Sequence, residues 1–170
     1  MEIKYLKSSQ NALIAEEEIW RGIEERFHVH VTLHDLYQRL RPVIQNPTFP
    51  GRHLHLHECC LRERFSIAEW DRLCTRDCYQ DLEPLAGKHD GSFLKCCWKG
   101  VVELVVPVYF HQDHLLTLTA GTFRGMIPPN TRLPAWYLEK HAQLPEVPLG
   151  ELTVLSELLH AVGVALLNQA

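Results

Sequence analysis

The chain has 170 residues, enough for one domain with a sizeable core. Apolar residues make up 46% and charged residues 22%, which sets the chain apart from disordered and membrane-embedded classes. A formal charge of −4 gives no electrostatic case for nucleic-acid binding by these residues, and no apolar run reaches the ~18–20 residues of a membrane span. Met1 to Leu6 carries no secretory pattern, so a cytoplasmic chain with reduced cysteines and no membrane partner is expected.

Residues 9–27 place Leu13, Trp20, Ile23 and Phe27 at helical spacing, opposite Glu17 and Glu24. This spacing predicts an amphipathic helix covering one side of a sheet. Glu17 and Arg21 at i,i+4 add only ~0.2–0.5 kcal/mol. The period then changes. His28 to His34 alternates, with Val29, Val31 and Leu33 on one face, and His53 to His57 repeats the device. Both read as strands with one aliphatic and one imidazole face, the latter either a solvent-facing surface or a metal- or pH-sensing array. Tyr37 to Ile44 reads as a short strand or helical turn, and Asn46 to Gly51 as a loop.

From Ser66 to Leu85 the pattern is helical again, with Ser66 and Glu69 spaced as a capping box and Cys74 and Cys78 one turn apart. Gly87 and His89-Asp90-Gly91 end this helix. Strands are predicted at 93–98, 101–111 and 114–123. The last two form a hairpin around Gln112-Asp113, and the lack of glycine there suggests a loop longer than two residues. Pro128, Pro129, Pro134, Pro145 and Pro148 mark a loop-like stretch from which Trp136, Tyr137 and Leu138 pack back. A final helix, Gly150 to Asn168, carries Leu152, Leu155, Leu159, Val162 and Leu166 as a stripe.

All six cysteines fall in three groups, Cys59–Cys60, Cys74–Cys78 and Cys96–Cys97. Neighbours on a strand point to opposite faces, so Cys96–Cys97, and Cys59–Cys60 if extended, offer one thiol each to a shared centre, whereas the helical pair can offer both. Three or four thiolates are the donor set of a zinc or iron site. The other reading is buried reduced thiols acting as small hydrophobes. No Cys/His nucleophile signature is present.

Four blocks in this order carry a likeness to a known family. They are His57-Glu58-Cys59-Cys60, Leu73-Cys74-Thr75-Arg76-Asp77, Lys95-Cys96-Cys97-Trp98-Lys99-Gly100 followed by Glu103 and Pro107-Val108, and Ala120-Gly121-Thr122-Phe123-Arg124. The run from His55 to Arg124 resembles the PocR-type sensory domain found at the N-terminus of AraC-family transcriptional regulators. The family's recurring positions fall on Cys60, on Cys74 with Asp77, and on Cys97 with Gly100, while Trp98 stands where the family usually has histidine. The resemblance implies an α+β (α/β) fold: a PAS-like antiparallel sheet flanked by helices, with residues 1–148 as sensory domain and 149–170 as a C-terminal signalling helix. It also implies a small-molecule effector, no catalytic activity, and DNA binding only through a helix-turn-helix domain absent from these residues.

On this reading the effector lies between the sheet and the helix bearing Cys74. Trp98, Tyr109 and Phe123 form apolar walls and Asp77 and Arg124 polar anchors, beside Cys60, Cys74 and Cys97. If a metal is bound, its ligands are Cys60, Cys74 and Cys97, with His57 or Cys78 as the fourth. The final helix either forms a homodimer contact or packs on the domain body. The rival classes are a cysteine-nucleophile enzyme, which requires an exposed thiol of low pKa, and a dimerisation module without ligand.

Overall fold

A four-stranded antiparallel sheet forms the centre of the computed structural model, which describes residues 18–35, 55, 57–64 and 66–168. The strands are β1 (His30–Asp35), β2 (Phe93–Cys96), β3 (Val101–Phe110) and β4 (Asp113–Arg124), in the spatial order β1-β4-β3-β2. Helices lie on both sides of the sheet, so the α+β class with a C-terminal helix holds. Among the described residues no helix is long and apolar enough to cross a membrane. Leu13, Glu17, Tyr37 to Ile44 and Asn46 to Gly51 lie outside the described residues.

Alternation gives the sheet two unlike faces. Val31 and Leu33 of β1, Leu104, Val106 and Val108 of β3, and Leu116, Leu118 and Ala120 of β4 form one. Helix α1 (residues 18–27) seals it with Trp20, Ile23 and Phe27. The long C-terminal helix, Leu152–Leu167, seals it with Leu155, Leu159 and Leu166, so this helix packs on the body. Each such leucine, taken fully out of water, contributes ~1.5–3 kcal/mol. The helix approaches so closely at Gly163 that an added Cβ would sit 2.6 Å from Val108 Cγ2.

The second face is polar and also covered. Thr32, His34, Thr117 and Thr119 are all buried there, so His34 does not face solvent, whereas His30 is partly exposed and His28, before the strand, is exposed. Above them run α2 (Glu58–Leu61), α3 (Ala68–Thr75), a π-helical turn (Arg76–Gln80) and α4 (Leu82–Ala86). Leu82 and Ala86 pack on Val105. The chain then returns through α5 (Ala135–Ala142), where Tyr137 is buried, and ends in α6 (Leu152–Leu167).

Several local expectations change. Ile67, not Ser66, caps α3, and no side chain bonds the cap. The single helix expected from Ser66 to Leu85 is broken by the π turn, and β2 ends at Cys96. Glu24 is not on a solvent face: its carboxylate accepts from Val31 N at 2.8 Å and meets His30 Nδ1 at 2.9 Å, fastening α1 to the start of β1. The β3–β4 connection is a two-residue turn, since Phe110 pairs with Asp113. Its residues, His111 and Gln112, have φ of 50° and 75°, the left-handed geometry that tight hairpins take even without glycine. Residues 135–142 are helical rather than loop-like, and Leu138 on that helix is exposed.

The approach at Gly163 yields a test. Alanine favours an isolated helix over glycine by about 1 kcal/mol, but Val108 is β-branched and cannot turn aside. Gly163→Ala should therefore lower stability by ~1–3 kcal/mol in urea unfolding. Val108→Ala in the same chain should recover part of that loss.

Candidate functional site

The β2–β3 turn, Cys97 to Gly100, is the best-anchored segment of the polar side. Cys97 N donates to Val101 O at 2.8 Å and Gly100 N to Cys97 O at 2.9 Å, which closes the turn. Asp77, from the π turn, accepts Trp98 N at 2.8 Å. Tyr137 Oη donates to Lys99 O at 2.9 Å, and His141 Nε2 donates to Gly100 O at 2.8 Å. Lys99 itself is 1% exposed. Its Nζ donates to the Cys59 carbonyl at 2.6 Å and lies 5.2 Å from the Trp70 ring and 5.7 Å from those of Trp98 and Tyr137. A buried ammonium needs such partners, because an unpaired one would cost several kcal/mol.

This anchoring sets Cys97 opposite the thiols of the helical layer. Cys60 from α2, Cys74 from α3 and Cys78 from the π turn border one enclosed chamber with Cys97. The three matched cysteine segments therefore do converge. The chamber measures about 10 Å³, roughly the space of one water molecule. Trp98, Lys99, Arg64 and Val101 complete its wall, and His55 and Glu103 close it towards the sheet. It is too small for an organic effector, whose pockets run to ~300–1,000 Å³.

One thiol of this doublet reaches the chamber, though Cys97 lies just past the end of β2: Cys97 borders the chamber while Cys96, the last residue of the strand, is exposed. Cys59 and Cys60 are helical instead, and both are buried. Cys59 packs with Trp70 and Tyr137 and leaves Cys60 to the chamber. Cys74 and Cys78 share a face although the helix widens into its π turn between them, a distortion frequent at functional sites.

Other expected residues stand elsewhere. Asp77 supports the turn from behind. Tyr109 lies far along β3, its hydroxyl donating to His89 O at 2.9 Å. Phe123 is a core residue of the opposite face: a bulge between Val102 and Leu104 brings it opposite Val102 and reverses the alternation of β4. Arg124 is a surface residue, bonded to Glu146 at 2.5 Å and to Ala142 O at 3.1 Å. His57 does not border the chamber. It caps α2, its Nδ1 accepting from Cys59 N at 3.2 Å. Neither His55 nor His57 is in a strand.

His57 instead borders an open cleft of about 570 Å³ with His28, His30, Thr122 and Gln143. A further small void is lined by residues of both, among them His55 and Glu103 of the chamber and His30, His57 and Thr122 of the cleft. Gly121 makes room for the acid: a Cβ there would meet Glu103 Cγ at 2.9 Å.

The electrostatics of the chamber are those of a dry site. Burial pushes the Cys97 thiol up to about 11 and the Cys60 and Cys78 thiols well above their ordinary value. The exposed Cys96 is raised as well, mainly by desolvation. None of these four has the depressed pKa of a nucleophile. Burial also holds Glu103 up at about 7 and His55 down at about 3. Their 3.3 Å contact is therefore a hydrogen bond of a neutral imidazole rather than an ion pair. The other ring nitrogen, His55 Nε2, is buried and has no hydrogen-bond partner among the described residues. Among the described residues no group of three His, Cys, Asp or Glu side chains is placed to hold a metal ion.

Sequence reading named the thiols but not the roles of His55, Glu103 and Lys99. Glu103 had a signal, as the one acid in the apolar run Val101 to Phe110.

Two outcomes follow from this geometry. Lys99→Met keeps the stem but loses the bond to Cys59 O, so it should cost ~2–3 kcal/mol in denaturant unfolding and speed alkylation of Cys60. Glu103 keeps its proton up to about pH 7 when folded and loses it near 4.5 in its ordinary state. Stability attached to this group is thus whole below pH 4.5 and declines as pH rises to 7. In chelator-treated protein, Glu103→Gln should gain ~3 kcal/mol on the parent between pH 5 and pH 8. No protein-family model, curated protein or solved structure matches the chain, so its chemistry is read from these residues.

Proposed function

We propose that this chain is a cytoplasmic sensory domain of the PocR type, serving a transcriptional regulator, and that it binds its signal at the cysteine chamber without catalysing a reaction. The observation that carries this reading is the convergence of Cys60, Cys74, Cys78 and Cys97, from separate segments, on one enclosed space. Thiols held protonated by burial are poor nucleophiles, which speaks against a cysteine-based reaction. The signal is of ionic or few-atom size at the chamber. Among the described residues, the cleft of about 570 Å³ has room for a larger effector.

Strand β3 supplies the route to an output. Glu103 faces the chamber, while its neighbours Leu104, Val106 and Val108 face α6. A ligand that binds two arrangements of this strand unequally shifts α6 between two placements. The outer side of α6 leaves Val154 and Leu158 in solvent, a surface through which a homodimer or a following DNA-binding domain would read that shift.

A thermal-shift screen over metal ions, short polyols and small hydrocarbon derivatives tests the reading. A ligand at a hundred times its Kd should stabilise the chain by ~2.7 kcal/mol. It should also alter hydrogen exchange of the α6 amides between Leu155 and Leu166. Binding that leaves α6 exchange untouched, or a screen with no stabilising compound, would defeat the sensory assignment.

A further inference from the structure

The charge on the wall of the chamber is not balanced. The ammonium of Lys99 rests on the Cys59 carbonyl and near three rings, with no carboxylate in ion-pair distance among the described residues. Arg64 brings a second cation, and its partner Asp71, at 3.5 Å, is half-exposed and does not border the chamber. The one acid on the wall, Glu103, keeps its proton up to about pH 7, and His55 beside it is neutral. Below that pH the enclosure is therefore net positive, although buried charges are ordinarily paired.

The unused polar atoms of the wall have the same character. Trp98 Nε1 is buried and makes no hydrogen bond among the described residues, and an indole N–H can only donate. His55 Nε2 is likewise buried and unbonded, in a residue only 7% exposed. A protonated Glu103 that donates to His55 Nδ1 leaves the imidazole proton on Nε2, a second donor. The thiols of Cys60, Cys78 and Cys97, kept as S–H by burial, are weak donors as well.

We propose that the chamber binds one monovalent anion of halide size, held by the indole N–H of Trp98 and the Nε2–H of His55 and balanced by Lys99 and Arg64. This rests on the chamber being the site of the sensed ligand, and it gives that ligand's chemical class. A space of about 10 Å³ takes a chloride-sized ion or a single water and excludes sulfate, phosphate and organic anions. Water would satisfy the two nitrogens but leave the charge of Lys99 uncompensated. An anion answers both needs. It enters without a covalent or redox step, and no thiol has to lose its proton. Trp98 and Lys99 belong to the turn that opens β3, so occupancy acts on the strand that α6 lies across.

The test uses the full chain, reduced, in chloride-free buffer at about pH 6, where Glu103 keeps its proton. Sodium chloride is titrated against sodium gluconate of equal ionic strength, whose anion is too large for the chamber, and joins the thermal-shift screen. The chain has four tryptophans, so proton–nitrogen correlation spectra show four indole signals. The signal missing from Trp98→Phe should move with chloride and saturate at one ion per chain. The melting temperature should rise in chloride over gluconate, and the chloride-35 resonance should broaden. Trp98→Phe should weaken chloride binding at least ~10-fold, and Cys96→Ser should leave it intact. Should Trp98→Phe fail to fold, assignment of the indole signals in the parent chain identifies that of Trp98.

A Trp98 signal indifferent to chloride, in a chain equally stable in chloride and gluconate, overturns the proposal and leaves the chamber to water. Chloride binding that keeps its full strength in Trp98→Phe overturns it too. A polyol, hydrocarbon derivative or metal ion that shifts α6 exchange in a chain indifferent to chloride overturns the anion site and leaves the sensory reading standing. Chloride that moves the Trp98 signal with α6 exchange unchanged does the reverse.

Discussion

The ammonium of Lys99 holds the polar half of this molecule together. Placed out of water, it must be satisfied by the Cys59 carbonyl and by the rings of Trp70, Trp98 and Tyr137. Those partners come from α2, α3, the turn itself and α5. One charge thus ties four segments that are distant in sequence, and hydrophobic contact alone would leave their mutual distances looser. Cys97 and Cys60 owe their facing positions to this tie, because each lies within two residues of one of its ends.

The sheet adds a second constraint. A strand shows opposite neighbours to opposite faces, so β3 cannot move beneath the chamber without moving beneath α6. The close approach at Gly163 makes that coupling stiff, since the helix has little slack above Val108. The bulge beside Glu103 is where the ladder is already interrupted.

Local periodicity made much of the frame legible. Alternation from His28 to His34 gave β1, the apolar runs gave β3 and β4, and the leucine stripe gave α6. The i,i+4 spacing of Cys74 and Cys78 put both thiols in the chamber. What failed was long-range. The order of the blocks points Phe123 and Arg124 to the pocket, but one extra residue in β4 reverses the alternation before they are reached. Tyr109 lies six residues beyond Glu103, or ~20 Å along a strand. His55 became visible only once it stood beside Glu103. The proline-rich stretch concealed α5, because Pro134 precedes that helix rather than interrupting it.

The widened turn from Arg76 to Gln80 has an implication for how this chain tolerates change in length. A π turn is an α-helix with one residue too many, and each residue advances a helix by about 100°. A single-codon deletion in this stretch would relax the backbone to a regular spiral and swing Leu82 and Ala86 away from Val105. Variation in this region should therefore proceed by exchange of side chains, with the spacing between Cys74 and Leu82 kept constant.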